Sequence, residues 1–253
     1  MGNIFENIAK SDFVLALKKI FHHHLQFWKI FMADLCFFVI FYISSVYLDI
    51  FLTGNQALNF GVFLIYLAIM FCLYCAAKSF VIQKICLIVQ DGKSKVYLKE
   101  FFLANIVIGV IFLAVFSAIN FILYNVLMEG PRAIIGLIVF IVFFAIFYAY
   151  LNIAHSHFFN SKEKKNALVD AFRIMKNNSV GILKIYAIDI LLFLIFTGIF
   201  SLIGISAKNI LMDSPNVYQA SSYYNLIFAL AAMFFIYLVH YYNRVLFFMK
   251  AGR

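Results

Sequence analysis

The chain has 253 residues, of which 66% are apolar or aromatic and 12% are charged, with a formal net charge of +9. A soluble domain runs near ~45–50% apolar and about 25% charged, so a water-soluble fold of this composition would expose large apolar patches. A soluble globular domain, a disordered tail and a disulfide-stapled secreted module are all excluded, which leaves a multi-span membrane protein.

Residues 1–29 form an amphipathic leading segment. Leu17, Ile20, Phe21 and Phe27 or Trp28 fall on one side at helical spacing, and Lys18, Lys19, His22, His23 and Gln26 on the other. Such a helix lies in the membrane interface with its basic face towards headgroups, and Trp28 and Lys29 anchor it there. No small-x-small cleavage pattern follows the first apolar run, so no removable signal is expected. Glu6 occupies the place where a myristoylation motif needs Ser or Thr.

Crossing a hydrocarbon core of about 30 Å takes about 20 mostly apolar residues. Six stretches meet this: 30–52, 58–80, 101–127, 134–153, 185–205 and 226–248. A second amphipathic segment, 162–179, precedes the fifth. In it Leu168, Ala171, Phe172 and Met175 oppose Asp170, Arg173, Lys176 and Asn177. The runs lack the short alternation of barrel strands. The fold class expected is therefore an all-α six-transmembrane-helix bundle, a single membrane domain over 1–253 built from helical hairpins, with interfacial helices on one side.

Charge sets the orientation. Of the 20 Lys and Arg residues only Arg132 and Lys208 fall in the connections on the far side, leaving 18 towards the near side: 16 in the termini and the 83–100 and 155–184 stretches, with Lys78 and Arg244 near the same ends of their spans. Basic loops stay in the cytoplasm, which puts both termini there and makes the cytoplasmic (plasma) membrane the expected location. The same charges border anionic headgroups, so they point to lipid rather than nucleic acid. Beyond lipid, the partners expected are another membrane protein or a second copy of the chain.

An internal repeat is also legible. A shift of 155 residues aligns Ala16 with Ala171, Lys18 with Arg173, Lys29 with Lys184, Ile30 with Ile185, Asp34 with Asp189 and Phe38 with Phe193. A shift of 166 aligns Asn59 with Asn225, Lys78 with Arg244 and Lys84 with Lys250. Spans three and four read as a weaker copy, with Asn105 in the aspartate place and His155 in the cation place. All copies start on the same side, so the repeats are parallel.

Ionisable groups within spans are costly in lipid and mark candidate sites. Asp34, Lys78, His155, Asp189 and Arg244 are the candidates here: an intramembrane polar network that either ties helices together or lines a polar vestibule. Asp49 sits at the outer end of span one. Asn105, Asn120, Asn125 and Asn152 are expected to hydrogen-bond between helices. Cys72 and Cys75 form a C-x-x-C at one helix face, read as a packing contact rather than a redox pair. Successive histidines at 22–24 point in different directions, and His155 and His157 do too, so no metal site is expected. Metalloprotease, serine hydrolase and P-loop motifs are missing, and glutamate occurs only at 6, 100, 129 and 163, outside the spans. Neither catalysis nor a cofactor is expected. Both prolines, Pro131 and Pro215, lie in far-side connections, which favours unbroken helices.

The run Asn166-Ala167-Leu168-Val169-Asp170-Ala171-Phe172-Arg173, with Lys176-Asn177-Asn178 and then a span, resembles one in uncharacterised six-span prokaryotic membrane proteins. These are related to the membrane domain of glycerophosphodiester phosphodiesterases. The resemblance covers about 40 residues, and no catalytic domain is attached. It implies the fold class and a prokaryotic membrane, with no activity or binding residues. The function expected is a non-enzymatic membrane protein that binds lipid or another membrane protein. The alternative is a small-solute permease or a membrane subunit of a transporter.

Overall fold

The computed structural model describes residues 11–48, 55–90, 98–126, 129–161, 166–211 and 217–252, and every regular element among them is an α-helix. In chain order these are α1 (Asp12–His22), α2 (His24–Leu48), α3 (Gln56–Gln90), α4 (Leu98–Val126), α5 (Glu129–Asn160), α6 (Ala167–Asn177), α7 (Ser179–Leu211) and α8 (Val217–Ala251). All but α1 and α6 are long and apolar enough to cross a membrane, so the chain is a multi-pass, all-helical membrane protein. Asp49, Lys93, Lys95, Lys162, Lys164, Lys165 and Pro215 lie outside the described residues, as do the side chains of Pro131, Arg132 and Lys208.

The helices outrun the apolar stretches read from the sequence. α3 continues from position 80 to Gln90, a further ~15 Å. α5 continues from 153 to Asn160, and α7 starts at Ser179, ahead of the apolar run at 185. These overhangs hold much of the core, including Val81, Ile82, Ile85, Cys86 and Ile88 on α3 and Ala154, Phe158 and Phe159 on α5. In the most apolar 18-residue window of each span no more than 11% of residues are buried. The division follows from the solvent. Lipid tails are as apolar as leucine and give no drive to bury it, whereas the watery interface does.

Internal contacts divide the chain into two compact units, Met1–Met175 with Val245–Arg253, and Lys176–Arg244. In the first unit α1 is held along its length. Ser11 caps it, accepting from the Val14 N–H at 3.5 Å, and Asp12 and Lys19 suit its dipole ends. Lys19 Nζ donates to the Val89 carbonyl at 2.6 Å, a cation on the C-terminal end of α3. Lys250 Nζ meets Asp12 Oδ2 at 3.4 Å, and Gln90 Nε2 donates to Asn160 Oδ1 at 3.1 Å. On α6, Asp170 lies 3.7 Å from His157 Nε2, and the Leu168 carbonyl accepts from Tyr150 at 3.3 Å.

Contacts within α2–α3, α4–α5 and α7–α8 run antiparallel in a steady register. Phe37 meets Tyr74, with Ser44 near Tyr66 and Met70, in the first pair. In the second, Asn105 lies against His155, Phe112 against Phe147 (4.6 Å) and Phe116 against Phe140 (5.3 Å). In the third, within the second unit, Asp189 lies against Asn243, Phe196 against Phe235 (4.4 Å) and Phe200 against Phe228 (5.2 Å). The spacings along the helices are the same in the last two pairs. Each polar residue is followed seven and eleven places later by the two phenylalanines, and each partner is preceded by its phenylalanines at eight and fifteen.

A second correspondence links the leading segments. Asp12, His22 and His24, which bound α1 and α2, are each 155 positions before Ala167, Asn177 and Ser179, which bound α6 and α7. Position by position from Ala16 to Ile40, each residue is buried, half-buried or exposed in step with its counterpart from Ala171 to Ile195. The buried members are Ala16 and Ala171, Phe27 and Ile182, and Ile30 and Ile185.

Candidate functional site: polar groups on the membrane helices

One turn before each polar position of α2, α4 and α7 stands a buried apolar residue: Ile30 before Asp34, Phe101 before Asn105, Ile185 before Asp189. That spacing keeps both on one helix face, so the polar group is carried into packing at the basic end rather than out into lipid. Lys78, His155 and Arg244 are buried, and Asp34 and Asp189 are half-buried.

The structure joins His155 to Asn105. Its Nε2 lies 2.8 Å from Asn105 Oδ1 across α4 and α5, both side chains buried, while the Asn105 amide donates to its own Phe101 carbonyl at 2.8 Å. The ring also packs on Phe101, with centroids 5.0 Å apart. Residues expected to stand in equivalent places of a weaker copy thus meet each other. In α2–α3 the register of Phe37 on Tyr74 brings position 34 level with position 78.

Asp189 takes a partner the sequence reading did not name. Asn243 Nδ2 donates to Asp189 Oδ2 at 2.7 Å, one position before the candidate Arg244. Adjacent helical residues point about 100° apart, so a one-residue difference in register decides which of them faces α7. The signal that could have found Asn243 is its place relative to Phe228 and Phe235, which repeats that of His155 relative to Phe140 and Phe147. Two oxygens of this pair, Asp189 Oδ1 and Asn243 Oδ1, are buried and have no hydrogen-bond partner.

Three of the four intramembrane asparagines behave otherwise than expected. The amides of Asn120, Asn125 and Asn152 fold back on the carbonyls of Phe116, Phe121 and Tyr148, within their own helices. Asn120 and Asn125 are exposed, and the carbonyl one turn back in their own helix serves as acceptor. In the C-x-x-C, Cys75 is buried but Cys72 is exposed, so only one of them packs. Among the described residues no three or more His, Cys, Asp or Glu side chains come together as a metal site would require.

Around the leading helices the anchors are outermost. Trp28 is half exposed and sits edge-on to Phe27 (5.2 Å) and Phe31 (5.9 Å), and Lys29 and Lys184 are exposed. Leu17, Phe21 and Leu25 continue that exposed apolar stripe across the α1–α2 junction; Phe172 on α6, and Val180 and Leu183 on α7, are exposed too. Lys18 and Arg173 are exposed beside them. No family model, characterised protein or solved structure matches the chain.

Proposed function

We propose that the chain is a non-enzymatic multi-pass membrane protein whose basic, cytoplasmic end binds anionic lipid headgroups. It would do so through two equivalent interfacial helices that lead into parallel helical hairpins. The observation that carries this is the matched exposure of the two leading segments. Each keeps an inner face buried by small residues, Ala16 or Ala171, and turns outward an apolar stripe flanked by cations. Such a face inserts apolar groups below the headgroups while Lys18, Lys29, Arg173 and Lys184 meet the phosphates. The matched helix boundaries, and the shared polar and phenylalanine register of α4–α5 and α7–α8, support descent from a repeated hairpin. The Asn105–His155 contact, with both side chains buried, favours a structural role for that part of the polar network over a hydrated solute path.

The test is thermal stability of the purified protein in phosphatidylcholine nanodiscs with rising phosphatidylglycerol. A cation near an anionic surface contributes on the order of 1 kcal/mol, so changing Lys18, Lys29, Arg173 and Lys184 together to Gln should remove most of the lipid-dependent rise. An undiminished rise in that variant would sink the proposal.

A further inference from the structure

The second unit contains a cleft of about 310 Å³ beside Asp189, with walls of Ile190, Phe193, Leu194, Phe235, Ile236 and Val239. Its outer walls are exposed, Ile190 and Leu194 to 62% and 60%, so it opens to the bilayer. The walls are apolar, and the one ionisable group on them is Asp189. One carboxylate oxygen, Oδ2, is held by Asn243. The other, Oδ1, is buried without a partner, and so is the amide oxygen of the same Asn243, a side chain only 4% exposed.

A carboxylate on the wall of an apolar cleft, with one oxygen unused, complements one kind of molecule. That molecule has an apolar body and a head rich in hydrogen-bond donors, preferably cationic. Leaving buried acceptors unmet is costly, and leaving a carboxylate in lipid without a counter-charge costs more. Lys184, exposed five residues before Asp189, marks the headgroup level about 7.5 Å away along the helix, within reach of a lipid head.

We infer that this cleft is a site for a primary-ammonium phospholipid of the phosphatidylethanolamine class. The ammonium would donate to the Asp189 carboxylate, and an acyl chain would lie along Phe193, Leu194 and Ile236. The inference is independent of the basic-end reading, because the contrast that tests it is between two lipids without net charge. Phosphatidylcholine has the same phosphate and chains but no N–H to donate.

The experiment is native mass spectrometry of the purified full chain with phosphatidylethanolamine, phosphatidylcholine or phosphatidylglycerol added singly. A charge-assisted hydrogen bond contributes about 1.5–3 kcal/mol, so ethanolamine lipid should be retained roughly tenfold or more over choline lipid. Asp189→Asn should abolish that preference. Leu194→Trp, which fills the cleft from an exposed position and leaves the polar pair intact, should reduce retention of the ethanolamine lipid. Equal retention of the two lipids by the parent chain would overturn the inference, and so would a preference that survives in both variants. Glycerol lipid held as tightly as ethanolamine lipid, and released by Asp189→Asn, would overturn the ammonium assignment.

Discussion

Replacing His155 by Phe isolates the polar contact between α4 and α5. The ring stays, so packing on Phe101 at 5.0 Å is largely kept, while the 2.8 Å hydrogen bond to Asn105 is lost. Asn105 is only 4% exposed, and its amide already donates to the Phe101 carbonyl, so Oδ1 is left with no donor and no water. An orphaned buried acceptor costs about 1–3 kcal/mol, more than the ~0.6 kcal/mol typical of an interhelical hydrogen bond in a membrane protein. His155→Phe should therefore lower the unfolding equilibrium stability by about 1–3 kcal/mol, roughly 5- to 150-fold in the equilibrium constant. Adding Asn105→Leu removes the orphan and should recover most of the loss, although Asn105→Leu alone also destabilises. The assay is reversible unfolding of the four proteins in mixed micelles titrated with a denaturing detergent, read as a double-mutant cycle. Additive effects without recovery in the double variant would refute the reasoning, and so would a His155→Phe protein as stable as the parent.

Three further outcomes are expected, two from the geometry and one from the charge distribution. A side chain added at Gly204 would come within 2.6 Å of the Tyr224 hydroxyl, which donates to the Phe200 carbonyl at 2.6 Å; Gly204→Ala should break that bond and cost about 1 kcal/mol, while Gly204→Ala with Tyr224→Phe should be less than additive in the same assay. In the folded protein a membrane-permeant maleimide should spare the buried Cys75 and Cys86 and reach them on unfolding in a denaturing detergent, as read by peptide mass spectrometry; early modification of Cys75 would contradict its packing. Cysteines introduced as Lys93→Cys or Lys164→Cys should resist an impermeant thiol reagent applied outside intact cells, and strong labelling there would reverse the proposed orientation.

How much of this was readable beforehand depended on which solvent each residue meets. The six spans were legible because hydrocarbon tolerates little else, and the Lys29–Asp34 and Lys184–Asp189 spacings stood out because charges are rare in such a chain. The overhangs of α3 to Gln90 and of α5 to Asn160 were not, because the interface accepts Gln83, Lys84, His157 and Asn160 alike, and apolarity fades while backbone hydrogen bonding continues. The phenylalanine register of α4–α5 and α7–α8 was hidden for a statistical reason: with 33 phenylalanines in the chain, any two coincide often, and only their ring contacts single out the meaningful ones. Asn243 carries no charge to mark it, and only register tells that it, rather than the neighbouring Arg244, meets Asp189.

The concentration of buried residues on the overhangs has a mechanical corollary. Within the first unit, helix pairs fastened to one another at one end and surrounded by lipid over the rest behave like stems tied below the blooms. Amide exchange should then be slowest at the knot, around Ile85, Ile153 and Phe247, and a thinner or thicker bilayer should change the spread of the free ends before it loosens the tie.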